Sequence, residues 1–243
     1  MKKKSKEKKI SKTLITKNPF KLKATKEYVK EYEKNTKYFP FWGTEINLGC
    51  QGSGKTIDMV LKAYIRLENR PKTIVLSNVD LLLPIENEVR FFKNYEELAK
   101  LLTNLDPEYP YGYLILIDEL QNVLSDMYTR AIDPILLQLL SQQRKTSINI
   151  LGTAQLYEKI PLGFRQYNAQ NGKLYECKKI GLLQIVRAID MDTVNYETIA
   201  RRHIKSYKWY FHTVELYKSY NTKAPVTTLQ GIFKGKEKMK DDW

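Results

Sequence analysis

Gly49-Cys50-Gln51-Gly52-Ser53-Gly54-Lys55-Thr56 complete the pattern G-x-x-x-x-G-K-[S/T], and each residue type answers a demand of phosphate chemistry. Glycines let backbone N–H groups close around phosphate oxygens with no Cβ in the way. Lys55 brings a mobile cation to the β- and γ-phosphate oxygens, and the Thr56 hydroxyl is a ligand for Mg²⁺. Farther along, Leu114-Ile115-Leu116-Ile117 runs into Asp118-Glu119. Asp118, at the carboxyl end of a strand, can hold Mg²⁺ directly or through water. Glu119 can polarise a water for in-line attack on a γ-phosphate, which points to hydrolysis and away from transfer to a small-molecule acceptor. Gln155 closes a later strand, where its amide either touches the γ-phosphate or the attacking water, or is an ordinary strand-end polar group. Arg144 suits an arginine finger reaching a neighbouring copy, or complements a helix C-terminus, with Arg130 and Arg165 as competitors.

Strands and helices must position these groups. Residues 44–48 read as a short strand, and Val60, Ala63, Tyr64 and Leu67 recur at i, i+3, i+4 and i+7 on one helix face. The loop therefore lies between a strand and a helix N-terminus, where the dipole favours phosphate. Residues 73–77 read as a buried strand, and residues 94–105 as a helix with Asn94 as N-cap and Glu97 completing a capping pair. The continuous apolar run 113–117 suits a parallel strand covered on both faces. Asp133-Pro134 opens a helix to about Lys145, and a fourth strand covers 147–151. The aromatic stretch Phe39-Pro40-Phe41-Trp42 ahead of the first strand packs either on the core or on an adenine.

Strands alternating with helices define an α/β domain with a mainly parallel sheet. After about residue 171 the character changes. Residues 173–178 and 182–189 read as strands joined at 179–181, and Tyr207, Trp209 and Phe211 alternate with polar residues as in a further strand. The expected organisation is a basic arm (1–37), a nucleotide-binding core (38–170), a small β-rich C-terminal extension (171–230) and a charged tail (231–243).

The chain has 243 residues, 42% hydrophobic and 28% charged, as expected of a soluble domain with extensions. Its net charge of +14 is concentrated: residues 1–37 hold fourteen Lys against four Glu, a net of +10 that leaves +4 for the rest. Such an arm suits an anionic partner such as nucleic acid, or serves as a solubilising tail. With Cys50 and Cys177 the sole cysteines, a structural disulfide is not expected and a reducing cytoplasm fits. No apolar run is long enough to cross a bilayer, and no signal peptide is evident, so an integral membrane segment is not expected.

The phosphate loop, the strand ending at Asn78, Asp118-Glu119 followed by Gln121, and Arg144 ahead of a strand ending Thr153-Ala154-Gln155 together resemble the FtsK–HerA superfamily. Within it they are most similar to viral DNA-packaging ATPases and Zot-like phage proteins. Arg165 matches a further arginine of that group. Leu216-Tyr217-Lys218-Ser219-Tyr220-Asn221-Thr222 is similar to its C-terminal tyrosine–acid–threonine element, with Asn221 departing from the acid. The resemblance implies a RecA-like P-loop ATPase that forms a ring, a hexamer, and drives double-stranded DNA through its pore with ATP and Mg²⁺. Lys55 and Thr56 would bind phosphate and magnesium, Glu119 would activate water, and Gln155 would couple nucleotide state to DNA-contacting loops. Lys145, Lys159, Arg201 and Arg202 are candidate DNA contacts. Zot-like proteins usually carry a membrane span after this domain; its absence here shifts the expectation to a packaging motor in the host cytoplasm or on the virion, with capsid or portal protein as partner. The alternatives are a Zot-type phage assembly ATPase and a non-translocating ATP-dependent switch.

Overall fold

The computed structural model describes residues 39–82, 85–125, 133–189 and 204–220. The basic arm, the charged tail, Arg130, Arg201, Arg202, Asn221 and Thr222 lie outside the described residues. In chain order the elements are β1 (Gly43–Leu48), α1 (Lys55–Leu67), β2 (Ile74–Ser77), β3 (Val89–Phe91), α2 (Tyr95–Thr103), β4 (Tyr113–Ile117), the short α3 (Leu120–Val123), α4 (Pro134–Gln142) and β5 (Ile148–Ala154). A 3-10 turn (Tyr157–Lys159), α5 (Leu162–Asn171), β6 (Lys173–Ile180), β7 (Leu183–Ile189), β8 (Ile204–Phe211) and α6 (Val214–Lys218) follow.

All eight strands join one sheet in the order β3-β2-β4-β5-β1-β6-β7-β8. From β3 to β6 every neighbouring pair is parallel, and β7 and β8 then run antiparallel. β4 is buried at every position, because helices cover both faces of this part of the sheet. On one face Met59, Val60, Ala63 and Leu67 of α1 pack on Val75, Leu114, Leu116 and Leu151. On the other, Leu98, Leu102, Leu136, Leu139 and Phe164 from α2, α4 and α5 pack on Ile46, Leu76, Ile115 and Ile150. The period-2 alternation of β4 thus feeds two cores at once.

Beside β1, α1 is held by ions. Glu45, buried in β1, pairs with Arg66 at 2.8 Å, and Lys62 reaches Asp58 at 2.9 Å. Asn47 donates to the Lys55 carbonyl at 3.0 Å and to Asp58 at 3.1 Å. These pairs satisfy polar groups whose burial would otherwise be costly, and they tie the strand before the loop to the helix after it.

Several expected boundaries shift. α4 stops at Gln142, not near Lys145, because the chain must reverse into β5: the Lys145 and Thr146 amides both turn back to the Gln142 carbonyl at 2.8 and 3.1 Å. α2 starts at its Asn94 cap, which accepts from the Glu97 amide at 2.9 Å, but the Glu97 carboxylate takes the Lys93 amide in place of that of Asn94. The helix ends at Thr103, short of residue 105. β6 runs on to Ile180, so the hairpin turns on Gly181 and Leu182 alone, with Gly181 at φ 59°. β3, α5 and α6 were not expected. β6 pairs directly with β1, so the β-rich segment continues the same sheet.

Candidate nucleotide site

The loop leaves β1 at Leu48 and enters α1 at Lys55. Gly54, at φ 84°, is the N-cap of α1, a conformation that costs a side-chain-bearing residue energy. A Cβ there would also collide with the Gln184 side chain of β7. The buried Lys55 ammonium donates to the Cys50 carbonyl across the loop at 3.1 Å and stands 3.8 Å from the Glu119 carboxylate. One side chain thus spans the two motifs.

Asp118 follows β4, yet β4 is not the neighbour of β1: β5 is inserted between them. The parallel register sets Ala154 beside Leu48 and Gly152 beside Ile117, so the carboxyl ends of β1, β5 and β4 form one edge. There the Thr56 hydroxyl donates to Asp118 Oδ1 at 2.9 Å. Thr153 donates to the same oxygen at 2.6 Å, and its hydroxyl accepts from the Glu119 amide at 2.9 Å. Asn78, at the end of β2, brackets the Asp118 backbone: its amide donates to the Asp118 carbonyl at 2.9 Å and its carbonyl accepts from the Asp118 amide at 2.7 Å. Thr153 and Asn78 together fix where the two acids point. Glu119 sits at φ 55°, ψ 60°, a left-handed conformation that costs a non-glycine residue roughly 1–3 kcal/mol. Gln121 donates to its second carboxylate oxygen. The bend turns the Glu119 carboxylate back towards Lys55.

The donor set fits Mg²⁺. Thr56 and Asp118 present two hard oxygens side by side, and magnesium binds through few protein oxygens plus phosphates and water. Among the described residues no cluster of three His, Cys, Asp or Glu forms a separate metal cage.

Gln155 stands exposed one residue beyond β5, on the same edge as the loop and Asp118. Arg144 is at the other end of that strand, exposed, with its guanidinium 5.8 Å from the Trp42 ring centroid; the length of β5 puts it roughly 20 Å from the loop edge. It is therefore not part of the site on its own chain. Arg165 is buried, donates to the Ile160 carbonyl at 2.9 Å and lies against Tyr157. Its guanidinium is engaged in packing. Lys145 and Lys159 are exposed. Phe39 is buried in the α1-side core and Phe41 stacks edge-on against it at 5.3 Å. Both precede β1, at the end remote from the loop, so Phe39 and Phe41 pack on the core while Trp42 stays exposed beside Arg144. Cys50 and Cys177 are free thiols; burial pushes the Cys177 thiol up to about 12.

Residues from the C-terminal strands, not singled out from the sequence, complete the surroundings. Gln184 of β7, fully buried, donates to the Ser53 carbonyl at 3.0 Å. Its own carbonyl lies 3.1 Å from His212 Nε2, and His212 Nδ1 lies 2.9 Å from the Tyr217 hydroxyl. Burial, and then Lys179, hold the His212 pKa below its ordinary value, so the ring is neutral, donates to Gln184 and accepts from Tyr217. Tyr210 of β8 donates to the buried Asp58 carboxylate at 2.9 Å, and burial together with that charge raises its pKa. Burial, and then the charge of Asp118, push the Tyr220 hydroxyl up to about 12. A lone polar residue at an inward position of an apolar strand was the one signal that pointed to Gln184.

A phosphate loop after the first strand, an acid pair on a strand one removed from it, and an inserted strand between define the RecA-like P-loop NTPase fold. Solved structures similar to this chain include the N-terminal domain of zonular occludens toxin from Neisseria meningitidis. It is 20% identical, with 74% of this chain and 99% of that chain covered and a TM-score of 0.47. The genome packaging NTPase B204 of Sulfolobus turreted icosahedral virus 2, in complex with AMPPCP, is 11% identical, covering 68% of this chain and 97% of its own, at a TM-score of 0.48. The flagellar accessory protein FlaH of Methanocaldococcus jannaschii is 15% identical, covering 62% and 79%, at 0.44. No protein-family model and no curated protein matches the sequence. Among the described residues no helix is long and apolar enough to cross a membrane.

Proposed function

We propose that this chain is an ATPase that drives double-stranded DNA through a ring of its own copies, a hexamer, as a viral genome-packaging motor. The observation that carries the reading is the convergence of Lys55, Thr56, Asp118 and Glu119 on one sheet edge, with Thr56 bonded to Asp118 and Lys55 beside Glu119. Backbone amides of residues 49–56 and the Lys55 ammonium bind the phosphates. Thr56 and Asp118 would hold Mg²⁺, which when bound neutralises phosphate charge. Glu119 takes the proton of the attacking water as the water oxygen bonds to the γ-phosphorus and the bond to the β–γ bridging oxygen breaks. Gln155, on the same edge, would report the nucleotide state, and Arg144, remote from its own loop, would act in a neighbour's site. The +14 charge and the resemblance to the FtsK–HerA group support DNA as the cargo, with capsid or portal protein as the docking partner.

The test is steady-state ATP hydrolysis with and without double-stranded DNA at low and moderate salt, with Glu119→Gln as the blank. Hydrolysis should rise with DNA and the stimulation should fade with salt. Glu119→Gln should keep ATP binding and slow turnover about 10²–10⁴-fold. Hydrolysis indifferent to DNA would overturn the motor, and ATP binding without hydrolysis in the unaltered chain would overturn the ATPase.

A further inference from the structure

Among the described residues β8 is the last strand of the sheet and pairs with β7 alone. Tyr207, Trp209 and Phe211 share one of its faces and are 65%, 67% and 61% exposed. The register sets Arg187, Ile185 and Leu183 of β7 opposite them, and Lys178 of β6 beside Ile185. Three neighbouring aromatics this open to water mark a binding surface, since soluble chains rarely leave such a patch.

Charge identifies the partner. Residues 39–172 carry thirteen Lys and Arg against fifteen Asp and Glu, whereas β6, β7 and β8 carry six Lys and Arg against Glu176 alone. Strand alternation puts Lys178 and Arg187 on the aromatic face and turns Lys173, Lys179 and Lys208 to the other. Arg187 is shared there with Glu176 at 3.4 Å, so the aromatic face carries a modest net positive charge centred on Lys178. Aromatic rings interleaved with cations on a sheet are a stacking platform for bases, with the cations on the phosphates. The Trp209 and Phe211 ring centroids stand 6.2 Å apart with their planes at 83°, nearly twice the roughly 3.4 Å rise between stacked bases. That spacing suits bases that have come apart.

We propose that the outer face of β7 and β8 binds an unpaired nucleic-acid strand, with bases stacked on Tyr207, Trp209 and Phe211 and phosphates drawn to Lys178 and Arg187. The proposal rests on the reading that this chain handles nucleic acid, and it extends that reading from duplex to single strand. Strand alternation connects the platform to the phosphate loop. Tyr210, between Trp209 and Phe211, turns to the opposite face and bonds Asp58 of α1, and Gln184, between Leu183 and Ile185, bonds the Ser53 carbonyl. One face of β7 thus touches the loop and the same face of β8 touches the helix that follows it, while the other face of both strands offers the platform.

The test uses the full chain with Trp42→Phe and Trp243→Phe, so that Trp209 alone reports, titrated with oligo(dT) and with duplex DNA at moderate salt. Oligo(dT) should quench Trp209 emission more strongly than duplex does. Trp209→Ala in the unaltered background should weaken oligo(dT) binding about tenfold while basal ATP hydrolysis and Tm stay put. Unmoved emission together with unchanged affinity would overturn the proposal and send the strand elsewhere, such as to the basic arm. Equal quenching by duplex would overturn the preference for an unpaired strand. Dissociation of the oligomer by Trp209→Ala with oligo(dT) affinity intact would make this face a contact between copies, and a Tm lowered by several degrees would mean the chain itself covers it. If DNA fails to stimulate ATP hydrolysis but Trp209 still reports oligo(dT), the motor reading fails and the platform stands.

Discussion

β4 and β8 belong to one sheet and stand in opposite relations to water. β4, Tyr-Leu-Ile-Leu-Ile, is buried at all its positions between two helical layers, and it ends in the acid pair of the nucleotide site. β8, Ile-Lys-Ser-Tyr-Lys-Trp-Tyr-Phe, is exposed along nearly its whole length, and its one half-buried side chain, Tyr210, bonds Asp58 of the helix that follows the phosphate loop. Both strands are rich in large apolar residues, so hydrophobicity alone does not separate them. Their neighbours do. Parallel crossovers force helices over β4, whereas β7 and β8 are joined to the sheet antiparallel, with α5 packed nearer β1 and no helix among the described residues over the outer face of β8. A buried strand fixes the position of its end to within the tolerance chemistry needs; an exposed edge strand is free to meet a partner.

The sharpest test of this division is at the nucleotide edge. On its proposed role, Lys55→Ala should cut turnover or nucleotide binding by at least about 10²-fold, read by ATP hydrolysis and by equilibrium binding. Near-normal turnover would break the assignment of this edge as the site. Next, Leu116→Ala should cost about 2–5 kcal/mol in urea unfolding, because it opens a cavity between α1 and β4, whereas Trp209→Ala should stay within about 0.5 kcal/mol. Equal costs would erase the contrast between the two strands.

The two regions meet at Gln184. Gln184→Ala leaves the Ser53 carbonyl and His212 Nε2 buried without this partner, so it should cost about 1–3 kcal/mol. It should also raise the KM for ATP more than it lowers kcat, since it loosens the loop that binds phosphate. A change in stability with no change in KM would mean that β7 only props the loop. The smallest effect should come from His212. Its pKa in the folded chain lies below the ordinary 6.5, so the unfolded chain binds more protons between the two values, and stability rises with pH across that window. The protein should therefore lose stability as pH falls below about 6.5, and His212→Gln should flatten that slope in thermal melts taken across the range.

Much of the nucleotide edge was legible in the chain because its demands are local. The loop needs consecutive backbone amides and glycine torsions, and Asp118-Glu119 needs only a strand that ends on time. Asn78 was visible as a strand-end residue, but its hold on both sides of the Asp118 peptide requires β2 and β4 to be neighbours. The alternation of Tyr207, Trp209 and Phe211 announced a strand and left open which face would be covered. β3 and α5 escaped notice because Val89–Phe91 is too short to show a period and the second half of Leu162–Asn171 is polar. Gln184 and Ser53 are 131 residues apart in sequence, and no pattern in either stretch names the other.

The residues 49–56 and 113–119 by themselves determined that this chain carries a phosphate loop, an acid pair and the strands and helix that present them, because each is a contiguous requirement of torsion, period or side-chain type. Tertiary structure alone decided that β5 separates β1 from β4, that Thr153 and Asn78 hold the acids, that Phe39 fills the core, and that β7 holds the phosphate loop and β8 the helix after it with one face while three aromatics stay in water on the other. Those outcomes depend on which strands become neighbours, and that is set by the shared burial of both faces of the sheet, a property of the whole fold.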